Sequence, residues 1–298
     1  MTVLYWLEGI RTPALDAFFS AVTHLGEEII FMVLAVVLYW CVSKSQGLYL
    51  LAVGGLGTTV NQFLKLTFRI PRPWVKDPGF TIVESARAEA TGYSFPSGHT
   101  QSAAGIFGCL ARCGKHTVVR IVYVIMIILT AFSRMYLGVH TPMDVGVSLI
   151  LAAILIFALY PLKQKMEENN KVVFLLLGIL TAVNAAYWCY AAFYPFPADS
   201  DSVQLAHGLE NAAKLTGAMF GMLAGCLVDL TYIRSDVRAP FLGQVLKVVL
   251  GLAAVLGIKE GLRFLPDALR YGLITLFAAG IWPLSFPLFQ KIGKKKTS

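Results

Sequence analysis

Residues 118–138 read VVRIVYVIMIILTAFSRMYLG, a run whose only charges are Arg120 near one end and Arg134 near the other. An apolar run of roughly 20 residues is what an α-helix needs to cross the hydrocarbon of a bilayer. Similar runs lie on both sides of it, and the reading places spans at about 27–43, 47–66, 98–113, 118–138, 142–162, 172–194, 211–233, 242–260 and 270–289. The expected fold is therefore all-α: a polytopic membrane helix bundle of about nine transmembrane helices. Residues 1–26 precede it, with Leu4, Leu7, Ile10, Leu15, Phe18, Phe19 and Val22 at helical spacing between Glu8, Arg11, Pro13, Asp16 and His24. That pattern predicts an interfacial amphipathic segment.

Composition supports this reading. The chain is 57% hydrophobic and 14% charged with a mean hydropathy of +0.67, too apolar to cover a soluble surface. The net charge is +8, but the cations sit between apolar runs instead of forming a stripe among exposed aromatics, which argues against nucleic acid as a partner. Lys291, Lys294, Lys295 and Lys296 fit contact with anionic headgroups and retention on the cytoplasmic side. The five cysteines show no metal-ligand grouping, and neither a metal nor another cofactor is expected. No removable signal peptide is expected either, so the first spans serve as the insertion signal.

Loop charge sets the orientation. With Lys44 inside, the loops 112–120, 163–171 and 234–238 and the lysine tail are inside as well, while 194–210, which holds no Lys or Arg, is outside. The outer positions that break the rule include Lys65, Arg72, Arg134, Lys259 and Arg263. Several belong to three groups that the helix order brings to one face of the membrane. Lys65 ends one span and precedes Arg72-Pro73; Pro96-Ser97-Gly98-His99 opens the next; Ser133-Arg134, His140 and Asp144 join the two after it.

These residue types suit a phosphate. Lysine offers a point charge and arginine a planar fork, which together can balance the two negative charges of a phosphomonoester, and three such cations point to an anionic headgroup. Ser97 and Gly98 stand where a helix begins, so their backbone amides and the helix dipole add donors for the same anion. Two histidines suit a double displacement in which one attacks phosphorus and the other protonates the leaving oxygen. Asp144 lies four residues after His140, with Pro142 fit for a first helical turn, so carboxylate and imidazole share a face. His140 is the expected nucleophile, Asp144 its orienting partner and His99 the general acid.

Lys-x6-Arg-Pro, Pro-Ser-Gly-His and Ser-Arg-x5-His-x3-Asp, in that order, resemble the complete signature of the type 2 phosphatidic acid phosphatase superfamily, which includes lipid phosphate phosphatases and vanadium haloperoxidases. The resemblance implies metal-independent hydrolysis through a phosphohistidine, with Lys65, Arg72, Ser97, Gly98, His99 and Arg134 holding the phosphoryl group. It also implies a six-helix phosphatase-type core, read as 27–194, followed by a C-terminal three-helix membrane extension in 195–298. The expected substrate is a lipid phosphomonoester or polyprenyl diphosphate at the outer leaflet, and short loops on a compact chain suggest a bacterial plasma membrane. The rivals are a phosphoryl transferase using the same site, a vanadium-dependent peroxidase, against which membrane burial argues, and a non-enzymatic lipid-headgroup binder or transporter.

Residues outside the signature read more plainly. Lys259 and Arg263 are candidates for a headgroup contact, against a merely solvated loop. Arg69 reads as a snorkelling anchor, His24, His116 and His207 as polar boundary residues without partners, and Asp229 as a buried structural partner. Gly217, Gly221 and Gly225 have the spacing for close helix packing, against the core or against another subunit in a homodimer. The loop from Trp74 to Tyr93, with Glu84, Arg87 and Glu89, joins two catalytic groups and is a candidate cap.

Overall fold

The computed structural model describes residues 1–292, so Lys294, Lys295 and Lys296 lie outside the described residues. Every regular element among them is helical: α1 Thr2–Gly9, α2 Pro13–Thr23, α3 Glu28–Val37, α4 Lys44–Phe68, α5 Pro73–Lys76, α6 Gly98–Cys113, α7 Thr117–Tyr136, α8 Pro142–Glu168, α9 Asn170–Phe193, α10 Ser202–Val228, α11 Phe241–Gly261, α12 Asp267–Leu276 and α13 Phe286–Lys291. Six helices among the described residues are long and apolar enough to cross a membrane, running from Thr117–Tyr136 to Asp267–Lys291; a seventh comes from the pair Pro13–Gly26 and Glu28–Val42, bent by 47°. The expected count of nine is not reached by length and composition.

The two expected spans that fall short are 47–66 and 98–113, and both carry site residues. α4 holds Thr58, Thr59, Asn61, Gln62 and Lys65, while α6 is 16 residues long and opens with His99, Thr100, Gln101 and Ser102. Such helices lose apolar character because polar chemistry is placed on them, and half of α6 is buried in protein instead. Helices α7 to α11, by contrast, expose Val118, Ile128, Phe157, Leu175 and Phe241, as side chains solvated by lipid do.

The chain divides into two compact units. The first comprises Met1–Met32, Val53–Tyr160 and Tyr194–Gly208; the second comprises Val33–Ala52, Pro161–Phe193 and Leu209–Ser298. One boundary falls at Pro161, where the ring removes a backbone donor inside α8.

In the first unit, the amphipathic segment turns its apolar positions onto protein. Leu4, Leu7 and Phe19 pack with Phe80, Ala86, Tyr136, Leu137 and Val139. Leu4 and Leu7 are almost fully buried, each contributing about 2 kcal/mol. Thr12 starts α2 by accepting from Leu15 N at 3.3 Å, and Pro13 supplies a first helical residue that needs no donor. Arg11 then donates to the carbonyls of Tyr136 (3.1 Å) and Thr81 (2.9 Å), and Tyr136 Oη donates to Asp16 at 2.7 Å. The segment is thus fastened to the end of α7 and to the loop that follows α5.

In the second unit, Asp229 is fully buried in the structural role expected of it. Its carboxylate pairs with Lys44 Nζ at 2.7 Å and accepts from Tyr39 Oη at 3.1 Å and Ser235 N at 3.1 Å. The glycine stripe of α10 packs within the same chain. Cβ atoms at Gly217 and Gly221 would overlap the carbonyls of Ala268 and Gly272 on α12, so hydrogen alone permits this approach.

Candidate active site

The three sequence groups meet in the first unit. Lys65 reaches from the last turn of α4 to the carbonyls of Tyr93 (2.5 Å) and Ser94 (3.5 Å). Arg72 precedes α5 and is held on every side, donating to the carbonyls of Thr91 (2.6 Å), Gly92 (3.1 Å) and Val139 (3.0 Å). The loop before α6 therefore holds both cations through its main chain, a function its composition does not reveal. Arg72 also donates to His140 Nε2 at 2.9 Å, which joins the first group to the third.

Ser97 caps α6, its Oγ accepting from Thr100 N at 3.4 Å, and its own N–H donates to the Asp144 carbonyl at 3.2 Å. Ser148 Oγ bonds the carbonyls of both Ser97 and Asp144 at 2.9 Å, so the N-termini of α6 and α8 are pinned together. Gly98, the first residue of α6, has open space where a Cβ would stand.

The x5 spacing between Arg134 and His140 is a turn. Val139 N and His140 N both donate to the Arg134 carbonyl at 3.2 Å, and Gly138 makes the reversal with φ of +81°. His140 Nδ1 then lies 3.4 Å from Asp144 Oδ2. Thr141, Pro142 and Asp144 form a capping box: Asp144 Oδ2 accepts from Thr141 N at 2.8 Å, and Thr141 Oγ1 accepts from Asp144 N at 3.3 Å. The carboxylate that faces the histidine is thus fixed by the start of its own helix.

Burial sharpens the electrostatics. Lys65 and Arg72 are each 6% exposed and Arg134 is 1% exposed, against a single fully buried carboxylate, Asp144. Removing three cations from water with one counter-charge is costly, and the cost falls when an anion enters among them. Burial pushes the Arg72 guanidinium down to about 10, with Asp144 opposing. The His140 imidazole is held well below its ordinary value, first by burial and then by Arg72, Lys65 and Arg134, so it is neutral near pH 7, with its Nε2 lone pair accepting from Arg72.

Two site neighbours come from the segment before α3, outside the motifs. Thr23 Oγ1 accepts from Arg134. His24, read as a boundary residue without partners, instead pairs with Glu27 and stands 3.7 Å from Glu89, whose other oxygen is 3.5 Å from His99 Nε2. Spacing to the signature does not announce either residue. Arg69 takes a left-handed conformation (φ +48°) after α4 and lies over the Phe196 ring, lining with Arg72 and Tyr93 a cleft of about 560 Å³. Lys259 and Arg263 belong to the second unit, both exposed, with Arg263 paired to Glu260.

An all-helical chain with membrane-crossing helices and this cluster of cations and histidines has the make-up of an integral membrane phosphatase. Comparison with known proteins specifies the class. A sequence model of the PAP2 superfamily matches residues 46–168, and one of the transmembrane extension of PAP2 superfamily phosphatases matches residues 213–295. The chain belongs to the PAP2 superfamily of phosphatases.

A protein named "Probable sphingosine-1-phosphate phosphatase" from Dictyostelium discoideum is 26% identical, with the match covering 96% of this chain and 72% of that one. Phosphatidylglycerophosphatase B of Bacillus subtilis is 29% identical over 53% of this chain and 80% of its own length. An undecaprenyl-diphosphatase of the same species is 35% identical over 40% of this chain, which spans 58% of that relative. No solved structure gives a significant match.

Proposed function

We propose that the chain hydrolyses a lipid phosphomonoester or polyprenyl diphosphate at the outer face of a bacterial plasma membrane, through a phosphohistidine on His140. The observation that carries this reading is the convergence of three buried cations on a neutral histidine backed by a carboxylate. Arg72 donates to Nε2, which marks that nitrogen as the lone-pair end; Nδ1, facing Asp144, then carries the proton.

In the first transfer, Nε2 of His140 bonds to phosphorus and the bond from phosphorus to the lipid oxygen breaks. Its electrons stay with that oxygen, which takes a proton from His99. In the second transfer, water attacks phosphorus, the P–N bond breaks with its electrons returning to His140, and the water's proton passes to His99. Lys65, Arg72, Arg134 and the amide at Gly98 hold the phosphoryl oxygens and stabilise the charge that develops on them, whereas the Ser97 amide, expected to join them, is taken by the Asp144 carbonyl. Asp144 stabilises the imidazolium character that His140 gains on attack.

The topology that goes with this reading counts α4 and α6 as crossings, which makes nine with the 27–43 span, and faces the site outward by loop charge. The exposed cations Lys259 and Arg263 remain candidates for a headgroup contact in it. The names of the relatives support a phosphate on an apolar tail, and they support both monoester and diphosphate substrates.

The test is phosphate release by detergent-purified protein in EDTA from phosphatidate, a sphingoid base phosphate, phosphatidylglycerophosphate and a polyprenyl diphosphate. Wild type is expected to release phosphate from at least one of them and His140→Ala from none. Full activity of correctly folded His140→Ala would overturn the mechanism, and phosphorylated product without matching phosphate on adding an acceptor alcohol would make the enzyme a transferase.

A further inference from the structure

Each of the two site histidines faces a carboxylate, and only one of those carboxylates belongs to the signature. Asp144 serves His140; across the site, Glu89 Oε2 stands 3.5 Å from His99 Nε2. The second oxygen of Glu89 lies 3.7 Å from His24 Nδ1, and His24 is itself paired with Glu27. A Cβ at Gly26 would come within 2.5 Å of the His99 carbonyl oxygen, so the turn bearing His24 rests directly on the backbone of His99.

The charges around His99 give this chain of contacts a purpose. Lys65 faces it from α4, Arg72 from the connection before α5, Arg134 from α7 and His24 from the 24–26 turn. Asp144, on α8, is committed to His140 and to the cap of its helix. A general acid must hold its proton before giving it up, and three fixed cations in one small site oppose an imidazolium. Glu89, 3.5 Å from Nε2, is the carboxylate placed to oppose them.

We propose that Glu89 is the positioning residue for the general acid, holding His99 oriented and protonated, with His24 and Glu27 holding Glu89. The proposal rests on the phosphatase reading above. Glu89 keeps its charge throughout: His99 gives its proton to the lipid oxygen in the first transfer and regains one from the attacking water in the second.

The experiment measures kcat and kcat/KM against pH in EDTA for wild type, Glu89→Gln, Glu89→Asp and, as a loop control, Glu84→Gln, whose carboxylate pairs with Arg87. Each is assayed on a lipid phosphate and on p-nitrophenyl phosphate, whose leaving oxygen needs no proton. Removing the carboxylate takes away the charge that favours the imidazolium, so activity is lost sooner as pH rises. Glu89→Gln is expected to move the alkaline limb for the lipid phosphate down by about one pH unit. It is expected to lower kcat at pH 8 by about 10- to 100-fold with KM little changed, while the aryl phosphate loses less than about threefold.

Glu89→Asp is expected to recover part of the shift, and Glu84→Gln to match wild type. A wild-type pH profile in Glu89→Gln, or equal loss on both phosphates, would sink the proposal. Should Glu89→Gln not fold, Glu89→Asp decides by the same limb, and a wild-type limb there overturns the role. If wild type itself releases phosphate from neither compound, the phosphatase reading fails first and takes this one with it.

Discussion

Ser94 Oγ donates to Asp144 Oδ2 at 2.7 Å, and that same oxygen accepts from Thr141 N at 2.8 Å and faces His140 Nδ1 at 3.4 Å. One carboxylate oxygen thus orders the entry to the second motif, the start of α8 and the ring of His140. The helix cap and the proposed support of His140 share an atom, and substitution can separate them.

Asp144→Asn keeps an oxygen that can accept from Thr141 N but removes the charge behind His140. Thermal unfolding in detergent is expected to change little, while kcat falls by about 10³-fold or more. Asp144→Ala loses the cap as well and is expected to cost about 1 kcal/mol of stability besides the activity. Near-wild-type kcat in the Asn variant would remove Asp144 from the mechanism.

Thr23 is the only side chain from the 1–26 segment that bonds to Arg134 among the described contacts. Thr23→Val keeps the shape and removes the acceptor, leaving a buried guanidinium with one bond fewer. A hydrogen bond to a charged group contributes about 1.5–3 kcal/mol, so kcat/KM for a lipid phosphate is expected to drop by roughly 10- to 100-fold. Unchanged kcat/KM would show that α7 alone places Arg134.

Acid stability should report His140. Its folded-state pKa lies well below the ordinary value of 6.5, because burial and the site cations oppose the imidazolium. The unfolded chain binds the extra proton first, so the stability this neutral ring carries is present above about pH 6.5 and is lost as pH falls below it, by up to about 1.4 kcal/mol per pH unit. The melting temperature of His140→Asn is expected to fall less steeply below pH 6.5 than that of wild type. Parallel curves would mean that another group governs the acid side.

The Lys44–Asp229 pair, in which the carboxylate is fully buried, is a structural test independent of the site. Lys44→Met leaves Asp229 charged and buried, which costs about 3–5 kcal/mol, whereas Lys44→Met with Asp229→Leu is expected to cost less than the single change. A double variant less stable than the single one would contradict this account.

The sequence reading placed the phosphatase signature because its residues are few, polar and set against a lipid-facing background. Helices α7 to α11 were legible for the same reason, since side chains that face hydrocarbon leave continuous apolar runs. Hydropathy serves less well for α4 and α6. Both are thinned in apolar residues by the groups they carry, Asn61 and Lys65 on one and His99 and Gln101 on the other, so a motif locates them better than composition does. The roles of the 1–26 segment and of Glu89 escaped because they depend on a return in space. Thr23 and Arg134 are 111 positions apart, and no local pattern records that they touch.

That separation also orders events during synthesis. At a translation rate of about 5–20 residues per second, Thr23 leaves the ribosome roughly 5–20 s before Arg134 does. Throughout that interval α1 and α2 lack Tyr136, Leu137 and Val139, the larger part of the surface on which Leu4, Leu7 and Phe19 finally rest. The first helices made therefore wait for the end of α7 before they find their place, and the histidine proposed as nucleophile follows within a few residues of it.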